Sequence, residues 1–173
     1  MENTVPPKAK FMVFDVESAG PLGEGFAVGW VVVDSDGAEL ASGVAHCPPT
    51  AATGNKGTGA SVAENVSPHL AEPTHSKPRE VRDAFWREWL RWRERGTQLV
   101  ADACWPVETT FLSACVQDDV QRKAPYPLID IRSMALALGR SDEIARLELH
   151  TQPVHDSLVH VRTSARNMVD MLC

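Results

Sequence analysis

Asp15 and Glu17 stand two residues apart, as Asp15-Val16-Glu17, at the end of the apolar run Lys10 to Asp15 (KFMVFD). That run is rich in branched and aromatic residues, the pattern of a buried strand. Residues two apart in a strand point to the same face, so the two carboxylates project together from an otherwise apolar element. Two negative charges held that close cost free energy unless a cation neutralises them. The chemistry that suits this spacing is a divalent-metal site with oxygen ligands, as Mg²⁺ or Mn²⁺ requires. An acidic pair at a strand end is otherwise simply solvated, so the pair becomes a site only if other groups converge on it.

The elements that must position such a site can be read along the chain. A Gly- and Pro-containing turn, Ser18 to Gly25, leads into a second apolar run, Phe26 to Asp34; Asp34 to Gly37 (DSDG) then reads as a hairpin turn into Ala38 to His46. An antiparallel meander is expected. Residues 48–78 are rich in Gly, Pro, Ser, Thr and Ala with little periodicity, which predicts a long surface loop. Ser76 and Pro78 start a helix that Gly96 stops, and Val81, Phe85, Trp89 and Trp92 recur along it at helical spacing. That aromatic stripe reads as core rather than as a surface for stacking bases. Leu99 to Ala103 predicts a strand, Pro106 opens a helical stretch to Val120, and Leu128 to Ile131 (LIDI) predicts another short strand. Two short helices, Ser133 to Gly139 and Asp142 to Leu149, follow. Leu158, Val161, Ala165, Met168 and Leu172 then give the C-terminal helix one apolar face. Three strands followed by alternating helices and strands predict a single α/β domain over residues 1–173, with helices packed on a mixed sheet.

The composition narrows the setting. At 173 residues and 43% hydrophobic content, the chain is long enough to bury one substantial core. Cys47, Cys104, Cys115 and Cys173 are widely separated and form no CxxC pair, so free thiols are expected rather than a zinc site. The run Phe26 to Val33 is too short to cross a bilayer, and Met1 to Lys10 lacks the layout of a signal peptide. A cytoplasmic protein without a membrane partner is the expectation. The net charge of −6, from 17 basic and 23 acidic residues, argues against capture of nucleic acid by bulk electrostatics.

Two further segments carry chemically capable groups. Val100 to Leu112 (VADACWPVETTFL) sets Asp102 and Glu108 ahead of the apolar pair Phe111-Leu112, between a strand and a helix. His155 to Arg166 (HDSLVHVRTSAR) places His155, Asp156 and His160 where the C-terminal helix begins. Together with FDVESAG, these segments resemble, in order, the three motifs of the DEDD superfamily of 3′–5′ exonucleases. Within it, the chain is most similar to the small single-domain bacterial or phage DEDDh enzymes. About 140 residues separate Asp15 from His155, so the motifs bracket nearly the whole chain.

The resemblance implies a ribonuclease H-like α/β fold, an antiparallel meander followed by parallel strands with flanking helices. It also implies exonuclease activity on single-stranded RNA or DNA 3′ ends, with exoribonuclease activity slightly favoured. It implies two Mg²⁺ or Mn²⁺ ions, with Asp15 bridging them roughly 3.5 to 4 Å apart, and Glu17 and Glu108 completing or orienting the shells. Asp102 is the second choice for the position given to Glu108. His155, with a histidine's near-neutral pKa, would be the general base acting on the attacking water. The acidic net charge is compatible with this reading, because bound ions reverse the local field.

The chain departs from the family pattern at two positions. Glu108 replaces an aspartate, which keeps the carboxylate and adds a methylene of reach. His160 stands five residues after His155, where the family's last aspartate is expected. A neutral imidazole brings no charge to Mg²⁺; His160 suits Mn²⁺ or a softer ion, with Asp156 as the second-choice ligand. Two consequences are open: a slow or Mn²⁺-dependent nuclease, or a catalytically inactive module that binds a nucleic-acid end or a protein. Exposed surface on the Trp-rich helix would favour a homodimer.

Overall fold

The computed structural model describes residues 8–54, 72–121, 123–140 and 157–172. The expected helix Asp142 to Leu149 and the candidate residues His155 and Asp156 lie outside the described residues.

The apolar run that carries the acidic pair becomes β1 (Lys10–Ser18), the centre of the sheet. It pairs antiparallel with β2 (Gly25–Asp34) and parallel with β4 (Gln98–Ala101). β3 (Glu39–His46) lies antiparallel on β2, and β5 (Leu128–Asp130) lies parallel on β4, giving the order β3-β2-β1-β4-β5. The meander and the parallel half are those expected. β1, however, does not end at Asp15. Pairing with β2 continues through Asp15↔Gly29 and Glu17↔Ala27 to a bulge between Glu17 and Ser18, so ladder hydrogen bonds hold both acidic residues extended.

Alternation along β1 assigns the faces. Met12, Phe14 and Val16 point to one side, onto α1 (Pro78–Arg93) and α2 (Thr109–Asp118). Phe11 and Val13 point to the other, onto α3 (Ile131–Ala137) and α4 (Ser157–Leu172). By the same period of two, Asp15 and Glu17 continue the row of Phe11 and Val13, on the face that α4 covers.

α1 has Pro78 in its first turn, Arg91 and Arg93 in its last, and Gly96 at φ 77° just beyond it, the start and stop the sequence predicts. Val81, Phe85, Trp89 and Trp92 are buried, joined by Trp86, so the aromatic stripe is core. Phe85 sits between Phe14, Trp30 and Phe111, with ring centroids at 5.1, 6.0 and 5.5 Å.

Three boundaries differ from expectation. β4 stops at Ala101, leaving Asp102 and Ala103 outside the strand. The helix expected from Pro106 to Val120 is divided into a wide turn, Cys104–Glu108, and α2. LIDI does not remain extended through Ile131: the Asp130 carboxylate accepts the N–H of Ser133 at 2.6 Å and caps α3, which therefore starts before Ser133. The other oxygen of Asp130 accepts the Cys104 N–H at 2.6 Å, so this one side chain ties the start of the wide turn to the start of α3. Within the expected loop, Pro49–Ala51 forms a single 3₁₀ turn. Cys47, Cys104 and Cys115 are free thiols. No helix among the described residues is long and apolar enough to cross a membrane.

Candidate active site

Asp15 and Glu17 leave β1 on the face where α4 packs. Val161 of α4 is fully buried against that face, and the preceding residue, His160, reaches the carboxylates. Its Nδ1 lies 3.6 Å from Asp15 Oδ2. Asp15, Glu17 and His160 each offer one ligand atom, and these atoms all lie within 4.8 Å of one another. The strand's period of two and the register of α4 together produce this cluster.

Glu108, last residue of the wide turn, adds a third carboxylate. It is only 9% exposed, and it accepts the N–H of Val16, the residue between the two acids of β1, as well as its own N–H. Burial, followed by the charge of Asp15, pushes its carboxyl up to about 8, against which those two hydrogen bonds act. Burial and then Asp15 push Glu17 up to about 7, with His160 pulling the other way.

Asp102, the alternative to Glu108, is engaged elsewhere. Its Oδ2 accepts Nε and Nη2 of Arg132, both at 3.3 Å, and its Oδ1 accepts the Ser164 hydroxyl at 3.4 Å. Burial raises its carboxyl, and Arg132 opposes that shift. Of the two acidic residues in this segment, Glu108 is therefore the one set against the β1 backbone beside Asp15, while Asp102 belongs to an ion pair. Asp15, Asp102, Glu108, Arg132 and His160 all line one cavity of about 580 Å³.

The donor set fits a divalent cation. Asp15 and Glu17 oxygens and one imidazole nitrogen of His160 converge, Glu108 lines the same cavity as Asp15 and His160, and burial followed by the charge of Asp15 holds Glu17 and Glu108 well above the usual carboxylate range. Such a set accommodates Mg²⁺ through its oxygens and Mn²⁺ through oxygen and nitrogen together. Sequence reasoning missed Arg132, Ser164 and Trp105, a further lining residue. Nothing in the sequence links Arg132 to Asp102, thirty residues away. Trp105 did carry a signal, because a residue before proline is forced out of helical geometry.

No family model matches the chain, and no curated protein sequence does. Among solved structures it is similar to a moderately thermophilic Exonuclease I from Methylocaldum szegediense, with a TM-score of 0.58 and 16% identity. The two chains share a fold. The match covers 93% of this chain and 40% of that one, so the present chain spans two-fifths of the exonuclease's length. The mixed five-stranded α/β sheet with flanking helices, expected from the ribonuclease H-like resemblance, is the architecture found.

Proposed function

We propose that the protein is a divalent-metal-dependent 3′–5′ exonuclease that releases nucleotides from the ends of single-stranded RNA or DNA. One observation carries the reading: Asp15, Glu17 and His160 bring ligand atoms within 4.8 Å of one another, beside the buried carboxylate of Glu108. The exonuclease-like fold and the order of the three sequence motifs support it.

Asp15, Glu17, Glu108 and His160 would hold Mg²⁺ or Mn²⁺, which when bound supplies charge for the phosphoryl group, an activated water and support for the leaving 3′ oxygen. The remaining work belongs to the chain. The ladder of β1 fixes Asp15 and Glu17, and the N–H of Val16 keeps the Glu108 carboxylate from swinging away. Because Glu17 and Glu108 hold protons near neutral pH, ion binding releases them, so affinity rises with pH. Arg132, held by Asp102, places a positive group in the same cavity, where it can meet a phosphate. In this reading His155 takes the proton of the attacking water.

The 3.6 Å approach of His160 to Asp15 favours a second reading. A protonated imidazole there would itself offset the charge of Asp15, leaving a module that binds a nucleic-acid end without hydrolysis. The test is incubation of 5′-labelled single-stranded RNA and DNA of one sequence with Mg²⁺ and then with Mn²⁺. Stepwise shortening from the 3′ end supports the exonuclease, and internal cuts overturn it. Intact but protein-bound oligonucleotide supports the second reading.

A further inference from the structure

The chain has five tryptophans, and four are core: Trp30, Trp86, Trp89 and Trp92 are at most 7% exposed. Trp105 is 74% exposed. Pro106 follows it, and its backbone takes φ −110° and ψ 138°, extended within a turn that is otherwise helical. This is the geometry that proline imposes on the residue before it. It carries the indole out of the turn's own packing and into the wall of the cavity that holds Asp15 and Glu108.

The lining of the cavity combines two kinds of group. Trp105, Pro106 and Val107 from the wide turn, with the half-exposed Val159 of α4, are apolar, whereas Asp15, Glu108, Asp102, Arg132 and His160 are polar or ionic. Its volume, about 580 Å³, lies within the range of sites for small molecules and cofactors. A ligand matched to both kinds of group has a flat apolar ring joined by a short linker to an anion, and a nucleotide has that form. Stacking on an aromatic face is tolerant of base identity, since every base presents a π-face. It also requires that the base be free of a pairing partner.

We infer that Trp105 is the stacking platform for the unpaired terminal base of a single-stranded nucleic acid, seating that nucleotide so that its phosphodiester reaches Asp15 and Glu108. The inference rests on the nuclease-fold reading of the site and assigns its terminal-nucleotide subsite. It makes Trp105 a binding determinant that selects frayed or single-stranded ends over paired ones and does not select by sequence.

The test uses the full chain as wild type, Trp105→Ala and Trp105→Phe, with Mn²⁺ present. The probe is a single-stranded oligonucleotide with 2-aminopurine as its 3′-terminal base and a phosphorothioate at its last linkage; a matched probe has an abasic 3′ end. Binding to wild type and to Trp105→Phe should quench the terminal 2-aminopurine. Trp105→Ala should not quench it and should bind roughly 10- to 100-fold more weakly, the loss expected on deleting one base–aromatic stack. The abasic probe should bind wild type and Trp105→Ala alike. Because Trp105 is the exposed indole among the five, acrylamide should quench its fluorescence in the free protein and lose that access in the complex. Trp105→Ala binding the base-bearing probe with wild-type affinity and quenching would overturn the platform alone. Wild type binding neither probe would overturn the platform together with the nucleic-acid reading of the site.

Discussion

Replacing Glu108 with glutamine isolates the electrostatic strain of the metal-free site. The side chain is 9% exposed, and its carboxyl is pushed up from the ordinary value of 4.5 to about 8, chiefly by burial and then by Asp15. A carboxyl that holds its proton more tightly when folded gives stability that is fully present below about 4.5 and is lost as pH rises through about 8. At about 1.4 kcal/mol per tenfold change in proton affinity, the loss between pH 5 and pH 8 is on the order of 3 kcal/mol. Glutamine keeps an oxygen for the Val16 N–H and carries no charge. Thermal unfolding in EDTA should therefore place Glu108→Gln above wild type at pH 8 by about 6 to 12 °C, at 2 to 4 °C per kcal/mol for a chain of this size. At pH 5, the gap should shrink to about 2 °C or less. Added Mn²⁺ should raise wild type more than the variant and narrow the difference at pH 8. A Glu108→Gln protein no more stable than wild type at pH 8, or displaced by the same amount at both pH values, would refute the claim that an uncompensated buried charge sits there.

Three other outcomes are expected. Phe85→Ala, which empties the space between Phe14, Trp30 and Phe111, should cost about 3 to 5 kcal/mol in denaturant unfolding, with any loss of activity following the loss of folded protein. Arg132→Met removes the partner of Asp102, whose carboxyl burial already raises, so the variant should lose more stability at high pH than at low pH; combining it with Asp102→Asn should recover part of the loss in a double-mutant cycle. His160→Asp supplies an anion in place of an imidazole and should raise the Mg²⁺-supported cleavage rate, measured on end-labelled oligonucleotide, while lowering metal-free stability at pH 8 because a further carboxylate then stands beside Asp15 and Glu17. An unchanged rate and unchanged metal affinity would count against His160 as a ligand position.

Much of the site was legible because it depends on short periodicities. The alternation of KFMVFDVE puts Asp15 and Glu17 on one face whatever the rest of the fold does, and the apolar steps from Leu158 to Met168 set the face of α4 from which His160 departs, although Leu172, expected to continue it, is exposed and Val169 and Met171 are buried instead. The Trp-rich stripe was recognisable as core for the same reason. Features that depend on distant partners were not legible. Asp102 and Glu108 are six residues apart and chemically alike; Arg132, on an element thirty residues later, and the N–H of Val16 are what give them different surroundings. The early start of α3 follows from the choice of Asp130 as a cap, which competes with continuation of the strand. The extension of β1 beyond Asp15 depends on where β2 begins, at Gly25.

The central claim is that the Asp15, Glu17, Glu108 and His160 cluster is a divalent-cation site. Isothermal titration of Mn²⁺ into the metal-free protein tests it most directly, with wild type and Asp15→Ala compared at pH 7.5 in two buffers of different ionisation enthalpy, a pH chosen to lie between the raised values of about 7 and about 8. The account requires saturable binding by wild type, with protons released from Glu17 and Glu108, and no such binding by Asp15→Ala. Identical titrations for the two proteins, or wild-type binding without proton release, would contradict it.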